Sequence, residues 1–305
     1  VYYYISRRIT LKKTLKGWIY LFVTIFFFST IEVATKPFSS VFNPFQITFL
    51  RFFFGGLILL IFPFLTGEIK KFKLTAGRFF LLMGVGALNS LIAMAFLQLA
   101  VKYSNASTAA ILVSSNPVFV VLIAWLILGE KITAQKILSL IIGVAGLITI
   151  ILSRSVGDSF KGIIFGLLSA FSFGFYTVMS KKYIKDIPST VFAPLSFLFS
   201  SIPYYFILKI GGISPFVFEV NLQVILMLVY VSLFVTGLAY ITFFKALEIL
   251  DASVSSFSYM LKPVISSIMA LAFLGEKPNA LKIFGMVLVS MSVLVMILKK
   301  GKSKT

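Results

Sequence analysis

The chain has 305 residues, of which 59% are hydrophobic and 12% charged, and its formal charge is +19. A soluble domain carries about 25% charged residues and could not hide this much apolar surface, so lipid is the solvent the composition asks for. There is no Cys and no His; this excludes disulfides, thiol or imidazole catalysis and the usual zinc, haem and iron–sulfur ligation, and no cofactor or metal is expected.

A helix needs ~20 apolar residues to cross a bilayer core. The first candidate, 17–36, follows a basic stretch, 1–16. It is longer than a secretory h-region and ends at Lys36-Pro37 without a small-x-small cleavage site, so it reads as an anchor helix. The others are 44–66, 76–100, 105–128, 134–153, 162–181, 189–210, 222–244, 252–274 and 280–298. Turn residues separate them: Thr66-Gly67-Glu68, Gly129-Glu130-Lys131, Gly211-Gly212 and Gly275-Glu276-Lys277. Near Ser104 and Asp251 only a few polar residues intervene, and a tight turn is expected because one continuous helix would overshoot the bilayer. Gly55-Gly56, Gly84-x-Gly86 and Gly143-x-x-Gly146 suit close helix packing; no strand precedes them and no Lys-Ser/Thr follows, so there is no nucleotide engine. Gly129-Glu130 and Gly275-Glu276 read as turn and cap devices, with Gly leaving the helix and Glu near the start of the next.

The expected fold is an all-α membrane protein of ten transmembrane helices. With the N-terminus cytoplasmic, 19 basic residues fall on the inner side and 7, Arg154 among them, on the outer, while Arg51 and Lys262 fall within helices. This bias predicts cytoplasmic termini, including the basic tail 299–305, and gives the positive charge a role in orientation rather than in nucleic-acid binding.

Shifting the sequence by 146 places Gly129-Glu130-Lys131 on Gly275-Glu276-Lys277, Ala106-Ser107 on Ala252-Ser253 and Pro117-Val118 on Pro263-Val264. A shift of 145 places Lys16-Gly17 on Lys161-Gly162 and Lys36 on Lys181. Two repeats, 17–153 and 162–298, each of five helices, enter the membrane from opposite sides, giving an inverted repeat.

Two five-helix repeats, each with a Gly-Glu turn before its last helix, resemble the EamA family of the drug/metabolite transporter superfamily. Lys16-Gly17, Phe28-Ser29, Arg51-Phe52, Asn116-Pro117 and Gly129-Glu130 carry the resemblance. The family's Trp-Gly in the first helix is replaced here by Phe28-Ser29, with Phe173-Gly174 in the second half. The resemblance implies a carrier of amino acids or other small metabolites, with export the direction expected.

Ionisable groups at membrane depth face bundle interiors and mark candidate sites. Lys262 lies near the middle of the ninth segment, before Pro263, on a polar stripe with Ser255, Tyr259 and Ser266. Either it lines a central cavity and attracts an anionic group, or it is paired with an internal acid or backbone carbonyls. Pro263 and its counterpart Pro117 are expected to kink their helices. Asn116, the repeat counterpart of Lys262, reads as a second midplane site or as an interhelical hydrogen bond. Glu32 and Arg51 lie about 6 and 10 Å deep from the same side, where an ion pair is geometrically accessible; Glu32 then serves structure, or couples transport to protons or sodium. Asn89 and Tyr240 are further candidate lining residues.

Together these features predict a secondary transporter in a prokaryotic inner membrane, with partners limited to a small-molecule substrate, lipid and an ion gradient, acting as a monomer or homodimer. A membrane enzyme lacks the buried acids, His or Cys that it needs. A flippase for lipids or polyisoprenoid-linked substrates on the same fold is the alternative.

Overall fold

The computed structural model describes residues 2–40, 42–153, 158–216 and 221–298; the tail 299–305 and Arg154 lie outside them. Among the described residues the chain is all helix. Nine rods are long and apolar enough to cross a membrane: α1 (Thr14–Phe38), α2 (Pro44–Leu65), α3 (Ala76–Tyr103), α4 (Ala106–Leu128), α5 (Ala134–Leu152), α6 (Phe160–Tyr183), α7 (Ser189–Ile210), α8 (Leu222–Ile249) and α9 (Ala252–Leu274). A tenth apolar helix, α10 (Ala280–Leu298), follows. The outward faces carry large apolar side chains such as Leu65, Leu126, Ile210 and Phe273, as a lipid-facing surface requires.

The rods match the sequence segments to within a few residues, except that α3 and α8 run on to Tyr103 and Ile249. The breaks at Ser104 and Asp251 are two-residue turns of extended backbone, Ser104-Asn105 and Leu250-Asp251. Sequence-related helices make corresponding contacts. The α1–α8 packing is matched by α6–α3, and α3–α7 by α8–α2; α5 and α10 pack on each other. Gly146 and Gly285 meet in the α5–α10 contact, where a Cβ on Gly146 would lie 2.8 Å from the Gly285 carbonyl oxygen. Of the expected packing glycines, Gly86 meets the Ser196 carbonyl and Gly143 meets Met260, whereas Gly84 faces open space.

The Gly-Glu turns require a correction. Gly129 and Gly275 end α4 and α9 in the left-handed conformation, at φ 66° and 68°. The following glutamates do not cap the N–H groups of the next helix, although Glu130 pairs with Lys136 in its first turn. Glu130 accepts from the backbone N–H groups of Ala252 (2.8 Å) and Ser253 (3.3 Å) and from the Ser253 hydroxyl, capping α9. Glu276 does the same to α4, accepting from Ala106 N (3.1 Å), Ser107 N (3.3 Å) and Ser107 Oγ (2.7 Å). Each half thus closes the first turn of the other half's fourth helix, where orphan N–H groups and a positive helix end favour a carboxylate. Thr133 and Asn279 cap the helices that actually come next.

The Glu130 carboxylate is half-buried; burial pushes its pKa up. The Ser253 hydroxyl, the Lys136 ammonium 3.1 Å away and the Ala252 N–H together outweigh that and hold it below its ordinary value. At the other helix ends, Lys36 donates to the carbonyls of Val101 (2.8 Å) and Ser104 (2.5 Å). Its counterpart Lys181 donates to those of Leu247 and Leu250 (2.9 Å for the latter). Two of the basic residues that the charge count treats as orienting signals therefore also close the last turns of α3 and α8.

Candidate functional site

Five rods lose regular α-helix at mid-depth, and the losses converge. In α1 the helix stops at Phe28 and restarts at Ile31, leaving Ser29 and Thr30 to turn their hydroxyls onto the carbonyls of Ile25 and Phe27. In α4 it breaks at Ser114-Ser115 before Asn116-Pro117. In α9 the segment Ser258–Leu261 is 3-10 helix, and Tyr259 O, which Pro263 cannot serve, accepts from the Lys262 N–H instead. Wide π-helical turns interrupt α3 at Leu88–Ala93 and α8 at Val231–Leu238. At their ends the carbonyls of Ala93 and Ala239 take hydrogen bonds from Ser169 (2.7 Å) and Thr24 (3.2 Å), residues at equivalent places in the two halves. Interruptions of this kind at membrane depth are stable only where protein or a cavity re-satisfies the backbone, and they concentrate at functional sites.

Between them lies an internal cavity of about 20 Å³, lined by Phe28, Ile31, Arg51, Met94, Leu97, Val113, Phe173, Tyr240, Tyr259 and Lys262. It holds about one water, not a metabolite. Its walls are organised by the repeat. Phe28 and Phe173 are equivalent under the 145-residue shift; Met94 and Tyr240, and Val113 and Tyr259, are equivalent under the 146-residue shift. The aromatic walls touch: the Phe28 and Tyr240 ring centroids are 4.9 Å apart, and those of Phe173 and Tyr259 are 5.2 Å apart.

Lys262 lines this cavity and is paired with an internal acid. Its ammonium donates to Glu32, just beyond the α1 interruption, and both side chains are almost fully buried. The expected ion pair of Glu32 with Arg51 is not the one formed; the carboxylate bonds Lys262 instead. Arg51 lies in the cavity wall with its guanidinium 4.7 Å from the Phe52 ring centroid, and its Nε and Nη1 find no hydrogen-bond partner. Asn89, in the π-turn of α3, donates to the Tyr240 hydroxyl at 3.0 Å and so sits one shell behind the wall.

The remaining candidates are buried but do not line the cavity. Ser255 and Ser266 are fully buried, with hydroxyls that have no partner. Asn116 is fully buried too, and neither side-chain atom is hydrogen-bonded. Its neighbourhood is the neutral counterpart of the ion pair: where the first half has Glu32, the 145-residue shift places Thr177. The sequence points to Phe28 and Phe173 only as the place where the family's Trp-Gly is replaced; it misses the lining residues Ile31, Met94, Leu97 and Val113, although the 146-residue shift already relates Met94 to Tyr240 and Val113 to Tyr259.

A helical bundle with interrupted rods around a small, charged, buried site defines a class: membrane-embedded transporters of small molecules. The chain belongs to the EamA-like transporter family, whose model matches twice, over residues 15–152 and 160–298. It is 33% identical over 282 residues to an uncharacterized transporter of Clostridium kluyveri, covering 90% of each chain. It is 27% identical to an S-adenosylmethionine uptake transporter of Rickettsia prowazekii, covering 96% of each. A solved crystal structure shares the fold, with a TM-score of 0.73 at 21% identity, covering 94% of this chain and 96% of that one. The family and the names of the relatives indicate a transporter rather than an enzyme, and a multi-pass membrane protein.

Proposed function

We propose that this chain is a secondary transporter that carries a small organic solute, an amino acid or a related metabolite, across a prokaryotic inner membrane. Ten spanning helices form two inverted five-helix halves with both termini cytoplasmic, and the halves rock about the solute by alternating access. The observation that carries this reading is the cavity itself: three pairs of repeat-related residues wall it, interrupted helices surround it, and its lining residue Lys262 is held by a buried ion pair to Glu32 that ties α9 to α1. At about 20 Å³ it fits the occluded midpoint of such a cycle, so either open state must separate the walls.

Lys262, Tyr259 and Tyr240 face the solute in this mechanism, Asn89 holds Tyr240, and Asn116, Ser255 and Ser266 lie along the kinked helices that open towards it. Pro117 and Pro263 fix the kinks. The Glu32 carboxylate is the coupling group, exchanging Lys262 for a proton or sodium ion as the cavity opens. Export is the direction expected from the family likeness. The Rickettsia relative is named for uptake, and the imposed gradient sets the direction in a carrier of this kind.

Counterflow in proteoliposomes loaded with a panel of amino acids and related organic acids, with the pH gradient on and off, tests the reading. The expected result is exchange of a solute by the wild type that Lys262→Met abolishes. Full transport by Lys262→Met refutes the role of Lys262, and unimpaired gradient-driven transport by Glu32→Gln refutes coupling through Glu32. A second reading, a lipid or polyisoprenoid flippase, draws on a lateral groove of about 530 Å³ lined by Phe26, Thr30, Val33, Pro37, Tyr230 and Phe273. Lipid scrambling without solute counterflow would favour it.

A further inference from the structure

The ion pair leaves a charge unaccounted for. Three charged side chains line the cavity or bond to its lining: Arg51, Lys262 and Glu32. Glu32 bonds Lys262 through Oε1 and leaves Oε2 without a partner, while Arg51, 1% exposed, lies over the Phe52 ring with Tyr240 and Glu32 as its nearest polar company; among the described residues it has no carboxylate in ion-pair range, and its Nε and Nη1 are unpartnered. At formal charges the cluster sums to +1 in an aromatic-walled space. A buried charge without a counter-ion is strongly unfavourable, and a bound anion supplies the missing counter-ion.

We propose that Arg51, rather than Lys262, is the anion-docking residue of this carrier, and that the solute is a net monoanion: a monocarboxylate with an apolar or aromatic body and no ammonium group. This rests on the transporter reading above and narrows its solute from amino acids and related metabolites to the related organic acids that lack an ammonium group. The guanidinium fork receives a carboxylate through two parallel N–H···O bonds, a geometry a lysine does not offer. A single negative charge brings the cluster to zero. A zwitterion leaves it at +1, because its ammonium adds back what its carboxylate removes. A phosphate monoester, at about −1.5 to −2, overshoots. The rings of Phe28, Phe173, Tyr240 and Tyr259 receive the body of the solute.

The test is ligand-induced thermal stabilisation of the purified full-length protein in detergent. The probes are 3-phenylpropionate, 4-methylvalerate, 3-phenylpropionamide, phenylalanine, phenethylamine and methyl phosphate, all at one ionic strength. Stabilisation by the two monocarboxylates alone is expected, with the half-maximal concentration raised roughly tenfold to a hundredfold in Arg51→Gln and less in Arg51→Lys. Unliganded Arg51→Gln should be at least as stable as the wild type, since it removes an uncompensated charge; a merely structural Arg51 predicts a loss. Equal stabilisation by the amide, by phenylalanine or by methyl phosphate overturns the proposal, as does unchanged carboxylate affinity in Arg51→Gln or no response to either monocarboxylate. Counterflow of a neutral or cationic solute would leave the transporter reading standing while this proposal falls. Carboxylate binding with no counterflow of any solute would do the reverse.

Discussion

Separating Glu32 from Lys262 tests the central geometry most directly. The pair is buried on both sides, so removing one partner strands the other, at a cost of about 3–5 kcal/mol. The two single variants are not equivalent, because Arg51 shares the cavity wall with Lys262. Glu32→Gln leaves two buried cations together and raises the cluster from +1 to +2; the full loss is expected, a fall in melting temperature on the order of 10 °C. Lys262→Met leaves Glu32 with Arg51 as its remaining cation, takes the cluster to zero and should lose less than half as much. The double variant Glu32→Gln/Lys262→Met returns to +1 and should melt within a few degrees of the wild type, giving a coupling energy of about 3–6 kcal/mol. Intrinsic fluorescence melts in detergent measure all four proteins. If Lys262→Met is as unstable as Glu32→Gln, or if the double variant loses the sum of the two, the charge accounting is wrong.

Other consequences are open to the same kind of measurement. Because the folded Glu130 carboxylate titrates below its ordinary value, its contribution to stability is complete above about pH 5 and is lost as pH falls through the folded value. Melts from pH 7 to pH 3 should therefore fall less steeply for Glu130→Gln than for the wild type. At Gly275, φ is 68° and nothing crowds the site, so Gly275→Ala should cost about 1 kcal/mol from backbone strain alone. Gly86→Ala is a different case: a Cβ would lie 2.0 Å from the Ser196 carbonyl oxygen, so α3 and α7 must separate, and a loss of several kcal/mol or failure to accumulate in membranes is expected.

Much of this architecture is legible in the sequence because lipid imposes a strong rule: apolar runs of the right length must be helices. The repeat is legible because the Gly-Glu-Lys and mid-helix Pro matches survive among otherwise generic apolar residues. Composition likewise isolates Lys262, Glu32 and Arg51, the ionisable groups least at home at that depth. Their pairing is another matter. Pro263 marks the α9 irregularity and an internal acid is one of the partners the sequence offers Lys262, but depth along each helix equally allows Glu32 to meet Arg51, and the choice between the two cations depends on how α1, α2 and α9 pack. The π-turns at Leu88–Ala93 and Val231–Leu238 were invisible for the same reason. The carboxylates of the Gly-Glu turns were misassigned because sequence proximity suggested the next helix, whereas the orphan N–H groups that needed them lay across the molecule.

That crossed arrangement has a consequence for ancestry. Glu130 completes a helix that begins at Ala252, and Glu276 completes one that begins at Ala106. A lone five-helix chain with these residues would carry a free carboxylate at one end and an unfinished helix at the other, and a second copy set against it head to tail would satisfy both at once. The exchange gives a self-complementary dimer a reason to exist before any gene fusion. Two such copies tethered in one reading frame are free to differ, and Glu32 and Lys262 stand where the repeat has Thr177 and Asn116, so charge lies on one side only.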